Sequence, residues 1–180
     1  MATKVIGPQD GRSVMNGFVV YKLFAEDTGG ALTIVEHVLE PGMLGAPLHT
    51  HRNEDEYSYV LRGELTALIG GEVVHAPAGT LVCKPRGVPH TFWNQGTEQT
   101  RLLEVIAPGG FEGYFDELSV VVSVCGPPDV GRIMAIAQTY GVEMDFSCLM
   151  DISQTYDVWL GGVRPSQMNQ PQPQLIGEPL

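Results

Sequence analysis

Apolar positions alternate with polar ones at a period of two through most of the first hundred residues. Helical spacing becomes clear only after residue 110. Gly17 to Ala25 (Gly-Phe-Val-Val-Tyr-Lys-Leu-Phe-Ala) reads as a strand, and Leu32 to Glu40 returns as a second. Between them Glu26-Asp27-Thr28-Gly29-Gly30 supplies a turn, with glycine where a positive φ is needed. Tyr57 to Leu61 is strongly β-prone and Gly63 ends it; Thr80 to Cys83 and Arg101 to Ala107 are further strands. Residues 1–16 read as a loosely structured lead-in. After Pro108 the pattern changes: Phe111, Tyr114, Phe115 and Leu118 recur at helical spacing. Asp129 caps a second helix striped by Ile133, Ile136, Ala137 and Tyr140 and stopped by Gly141. These stripes are expected to pack outside the strands or at a subunit contact. Tyr156 to Leu160 is apolar enough to dock, whereas Gln167 to Gln174 is too polar and proline-rich to bury a core.

With 180 residues, the chain has room for one well-packed all-β body plus appendages. The expected divisions are 1–16, a β-barrel over 17–107, a helical extension over 108–150 and a tail over 151–180. The formal charge of −11 argues against nucleic acid and anionic membranes as partners. No apolar run reaches the roughly 18–20 residues that span a bilayer. Gly7-Pro8-Gln9-Asp10 interrupts any signal-like start, and the three cysteines, Cys83, Cys125 and Cys148, are scattered. Both features point to a reducing, cytoplasmic setting. Cys83 reads as a small buried strand residue rather than a metal ligand. There is no internal repeat, phosphate-cradling loop, dinucleotide fingerprint or nucleophile elbow.

Candidate chemistry is concentrated between Gly42 and Asn94. His49 and His51, at i and i+2 on an extended strand, point to one side about 6.5–7 Å apart. Glu56 has the wrong parity to share that strand, so the charged run Arg52-Asn53-Glu54-Asp55 reads as a turn that resets the register. If Glu56 points inward, so do Ser58 and Val60, with Tyr57 and Tyr59 on the opposite face. His90 follows a second strand, and Phe92 and Asn94 share its side. Three imidazoles and a carboxylate suit a divalent Fe, Mn, Ni, Co, Zn or Cu ion. His37 reads as a hydrogen-bonded or solvent-facing strand histidine, and His75 as a surface residue. Phe92 is either a pocket wall or a core aromatic, and Asn94 either supports the site or caps backbone.

The spacing Gly42-x6-His49-x-His51-x4-Glu56-x6-Gly63, followed by Gly79-x5-Pro85-x-Gly87-x2-His90-x3-Asn94, resembles the two motifs of the cupin superfamily. The second motif fits at every position, while the first is one residue longer between Gly42 and His49. The fifteen residues 64–78 between them resemble the short connector of small bacterial single-domain cupins. The resemblance implies a jelly-roll β-barrel with the C-terminal helices packed outside. It also implies a metal held by His49, His51, Glu56 and His90. By similarity to quercetinase-like cupins it implies a metal-dependent dioxygenase acting on a small aromatic or enolisable hydroxy compound. Glu56 would then be the base, and Phe92, Val60, Met43 and Leu44 would line the pocket. An isomerase, cyclase or lyase acting on a small carbonyl compound, and a non-catalytic ligand binder, are the alternatives. A homodimer is expected, with the Tyr57 and Tyr59 face and the helical stripes supplying apolar contact area.

Overall fold

The computed structural model describes residues 3–122 and 129–164. Cys125 and the Gln167–Gln174 segment lie outside them. Thirteen strands and three α-helices are described, and the strands form two sheets.

The first sheet is antiparallel. It comprises β1 (Arg12–Val14), β2 (Val19–Leu23), β3 (Thr33–Leu39), β11 (Thr100–Ala107), β6 (Asp55–Arg62) and β9 (Leu81–Lys84), in that spatial order. β1 lies within the expected lead-in, pairing Arg12 to Val14 against Tyr21 to Val19. Alternation places Glu56, Ser58 and Val60 on the inner face of β6, and Tyr57, Tyr59 and Leu61 on the exposed one. The expected register of this strand holds.

The second sheet is built around β10 (His90–Trp93). β7 (Glu64–Ile69) pairs with it and leads into a hairpin with β8 (Glu72–Pro77). β4 (Met43–Leu44) and β5 (Leu48–His51) also face β10, placing Trp93 against Leu44 and His90 against His49. Gly45, between these two short strands, lets the Phe92 ring come close; a Cβ there would stand 2.5 Å from the ring. The outer edge of β5 is covered by β12 (Val142–Asp145), a strand the sequence pattern does not announce. β13 (Trp159–Leu160) runs parallel to β4.

The helices pack on the sheets, and each uses its apolar face differently. α1 (Glu112–Val122) presents Tyr114, Phe115, Leu118 and Val121 to the same core cluster that fills the barrel. Phe111, just ahead of it, is 4 % exposed and belongs to that cluster too. α2 (Val130–Thr139) begins with Asp129 accepting from the Arg132 backbone N–H, the cap its sequence signals. α3 (Leu149–Tyr156) and the following Val158 dock on the outside of the second sheet, where Leu44, Trp93, Ile152 and Val158 form a separate apolar cluster. Among the described residues no helix is long and apolar enough to cross a membrane.

Two side chains depart from expectation, and the bonds of a third decide between two readings. Cys83 is exposed, because the alternation of β9 turns Val82 and Lys84 inward instead. His37 is 4 % exposed, stacked on Phe18 at 4.8 Å, and its Nδ1 has no partner, so it is neither solvent-facing nor fully hydrogen-bonded. Asn94 lies beyond the end of β10. Its amide donates to the Leu39 and Glu98 carbonyls and its Oδ1 accepts from the Gly96 N–H. Those bonds match the reading of Asn94 as a backbone cap. His75 is exposed on β8, as expected.

Candidate metal centre

β5, β6 and β10 bring His49, His51, Glu56 and His90 together. One donor atom from each lies within 4.8 Å of all the others, and all four residues are buried. The cross-strand pairing of His49 with His90 puts those two ring centroids 4.4 Å apart; His49 and His51 are 5.1 Å apart, and His51 and His90 5.6 Å.

The outer nitrogens define what the inner ones can do. His49 Nδ1 lies 2.8 Å from the Pro47 carbonyl and His90 Nδ1 3.0 Å from the Val88 carbonyl. A carbonyl only accepts, so both Nδ1 atoms carry the proton and both Nε2 atoms hold a lone pair in the neutral ring. His51 Nδ1 lies 3.3 Å from Glu54 Oε2, which imposes the same tautomer. The three Nε2 lone pairs therefore converge. Such outer partners are what orient imidazole ligands in metal sites.

Glu56 completes the set. Its Oε2 lies 3.1 Å from His90 Nε2 and its Oε1 3.4 Å from His51 Nε2. A carboxylate and a neutral ring nitrogen are both acceptors there, so these approaches carry a repulsion that a ring proton or a metal cation between them removes. A divalent ion relieves that repulsion and matches the N/O chemistry of the donor set, so the residues present fit such an ion. Burial holds the His49 imidazolium form well below its ordinary pKa, and His90 and His51 add to the effect, so His49 stays neutral. For Glu56 burial pushes the carboxyl pKa up, but Lys84 and then the imidazoles outweigh it and hold it well below the usual carboxylate range.

Four residues at this site lie outside the expected set. Lys84, 1 % exposed, places Nζ 2.8 Å from Glu56 Oε2 and 2.8 Å from Glu104 Oε2. Glu104 also accepts from Ser58 Oγ at 2.7 Å. Its burial, partly offset by Lys84, raises the carboxyl pKa to about 7. Strand parity signals both: Lys84 shares a face with Val82, and Glu104 shares one with Leu102 and Ile106. Phe111 rests edge-on against His51, ring centroids 4.7 Å apart, and stacks on Tyr114 at 4.8 Å. Tyr114 lies close enough to Glu56 that burial and then this carboxylate both raise its pKa. The helical spacing of Phe111 and Tyr114 announced an apolar stripe. It did not announce that the stripe lies against the histidine–glutamate cluster.

The expected pocket residues scatter. Phe92 lies on the inner face, its ring 4.9 Å from Lys84 Nζ and 5.6 Å from His37. Val60 is fully buried in the main core and Met43 packs against that core from a half-buried position. Leu44 faces away, into the cluster with Trp93 and Ile152. Glu54, read as part of the charged turn, is 9 % exposed and holds His51 instead.

Residues 35–106 match the model of the cupin domain, Cupin_2. The chain carries a cupin domain. Solved structures similar to it include a predicted oxalate decarboxylase from Thermotoga maritima, 27 % identical, covering 50 % of this chain and 78 % of that one at a TM-score of 0.48. KdgF from Halomonas sp. is 18 % identical, over 62 % of this chain and 99 % of that one, at 0.49. The Cupin_2 domain of an XRE family transcriptional regulator from Enterobacter cloacae is 23 % identical, over 50 % and 96 %, at 0.43. No curated protein matches the chain. The two sheets of the strand-rich body expected from the sequence are present.

Proposed function

We propose that this cupin domain holds one divalent first-row metal ion through the Nε2 atoms of His49, His51 and His90 and one oxygen of Glu56. We propose further that the protein is a dioxygenase of quercetinase-like type, acting on a small aromatic or enolisable hydroxy compound. The observation that carries the metal reading is the convergence of one donor atom from each of these four buried residues within 4.8 Å of one another. The bound ion would supply a Lewis acid that polarises a substrate oxygen and stabilises its anionic form. Glu56 would accept the hydroxyl proton, which requires it to be loosely held when substrate arrives, because the tightly paired carboxylate is a weak base. Phe111 and Tyr114 exclude water above His51 and offer apolar ring faces to a flat substrate.

Oxygen uptake by the metal-loaded protein across a panel of flavonols and smaller enolisable hydroxy compounds tests this reading. Substrate-dependent uptake that Glu56→Gln lowers by about 10²–10⁴-fold supports it. Proton exchange into a carbonyl compound without oxygen uptake would instead indicate an isomerase or lyase, and binding without turnover a ligand-binding module.

We also infer a homodimer. Outward residues on four adjacent strands of the first sheet, Ile34, Leu103, Val105, Tyr57, Tyr59 and Leu81, form an apolar face that the described residues leave uncovered. Tyr59 is 43 % and Leu81 57 % exposed. Glu36 is neutralised there by Lys22 and Arg101. A second copy can thus approach this face despite the overall negative charge. Light scattering should return twice the chain mass for the native protein and the chain mass for Tyr59→Glu. A monomeric native protein at micromolar concentration would end the inference.

A further inference from the structure

Lys84 is the one fully buried ammonium among the described residues, and its position follows from strand register. β6 and β9 pair Glu56 with Lys84, and β11 and β6 pair Glu104 with Ser58, all on the inner face. The lysine therefore lies between two carboxylates, 2.8 Å from each, with the face of Phe92 at 4.9 Å. In this buried setting each N–H···O contact is a charge-assisted hydrogen bond. Glu104 is itself held by Ser58 Oγ at 2.7 Å, so the ammonium cannot follow Glu56 without leaving a fixed partner.

We propose that Lys84 is a positioning residue that confines Glu56 to a one-oxygen role at the metal. This rests on the reading of the four-residue cluster as a metal site. A carboxylate beside a divalent ion can bind through one oxygen or both. Lys84 engages Oε2, which also lies 3.1 Å from His90 Nε2, leaving Oε1, 3.4 Å from His51 Nε2 and without an ammonium partner, as the donor. Glu56 thereby takes up one coordination position instead of two, and the position it does not use remains for substrate or water. The pairing with Glu104 keeps the ammonium from being an uncompensated charge beside a cation. The aromatic contact with Phe92 adds a second fixed point to the lysine side chain.

Infrared difference spectra of the zinc-loaded minus apo protein test the proposal, because the separation of the antisymmetric and symmetric carboxylate stretches distinguishes one-oxygen from two-oxygen binding. Glu56→Gln identifies which bands belong to Glu56. Native protein should show the wide separation of one-oxygen binding. The double variant Lys84→Met with Glu104→Gln removes the ammonium without leaving Glu104 charged and unpaired, and should show the narrow separation of two-oxygen binding. Lys84→Arg, which retains a cation, should retain the wide one. A narrow separation in the native protein overturns the proposal without recourse to any variant. So does an unchanged wide separation in a folded double variant. Zinc uptake by the native protein with either of those results would leave the metal reading standing, whereas no zinc uptake at all would overturn both.

Discussion

The two sheets contribute unlike chemistry to one interior. The second sheet supplies the three imidazoles, each held at Nδ1 by a carbonyl or a carboxylate. The first sheet supplies charge: Glu56, Lys84 and Glu104 in a row of ion pairs, with Ser58 bonded to Glu104 and His37 beyond Phe92. Only Glu56 belongs to both groups. A cluster of converging ring nitrogens gains little stability from its members, whereas a buried ion-pair row is bound to itself. Removing one of its members strands another charge. The difference predicts that substitutions in the second sheet cost metal and leave the fold, while those in the first sheet cost the fold first.

The largest effect is expected from His49→Ala, His51→Ala and His90→Ala. Each should abolish stoichiometric metal content while the circular dichroism stays that of a folded barrel, checked by elemental analysis of the purified variants. Full occupancy in all three would break the comparison at its first term. Lys84→Met on its own should do the reverse. Stranding Glu104 and Glu56 in the interior should cost about 3–5 kcal/mol by denaturant unfolding of the metal-free protein. Adding Glu104→Gln should return much of it.

How far these regions could be read from the sequence differs for a physical reason. His49, His51 and His90 stand out because, with Glu56, they fall at the spacings of the two cupin motifs, and the turn before Glu56 resets the strand parity. Lys84 and Glu104 obey the same alternation rule. Charged residues on strands usually face solvent, however, and nothing local reports that both find partners across the sheet. Phe111 and Tyr114 were read as a helical stripe, and only the closure of the chain over the barrel mouth shows that the stripe covers His51. Parity with His90 leaves Asn94 either supporting the site or capping backbone, and its bonds are those of the cap. Leu44, an apolar pocket candidate, lies on a strand that puts alternate residues on opposite faces and turns to α3.

A pH titration of stability sharpens the contrast within the first sheet. Burial and then Lys84 lower the His37 pKa to about 4, against 6.5 for the free side chain. The unfolded chain thus binds a proton that the folded one refuses between those values, and stability must fall as pH drops from about 6.5 to 4. The shift corresponds to about 3 kcal/mol. Glu104, raised to about 7, acts in the opposite sense, losing stability as pH rises from its unfolded value toward 7. His37→Phe keeps the aromatic packing against Phe18 and Phe92 and should remove the acid-side loss alone; a variant as acid-sensitive as the native protein would contradict the assignment.

A smaller effect is expected where the two groups meet, at the turn between β5 and β6. Glu54→Ala removes the acceptor on His51 Nδ1 and should weaken metal binding by about 10–100-fold, with little change in metal-free stability. Asp55→Asn alters an exposed pair with Arg86 and should leave metal affinity unchanged. Equal responses from the two, followed by titration of the apo protein with cobalt, would mean that Glu54 does not support the site.

The central claim is that one ion sits where the two sheets meet, bound by three imidazole nitrogens and a single glutamate oxygen. X-ray absorption at the edge of the metal in the loaded native protein reads that directly. The account predicts about one ion per chain, nitrogen and oxygen scatterers at roughly 2.0–2.2 Å, and the outer-shell signature of three imidazole rings. Fewer than three imidazoles, or any sulfur ligand, would contradict it.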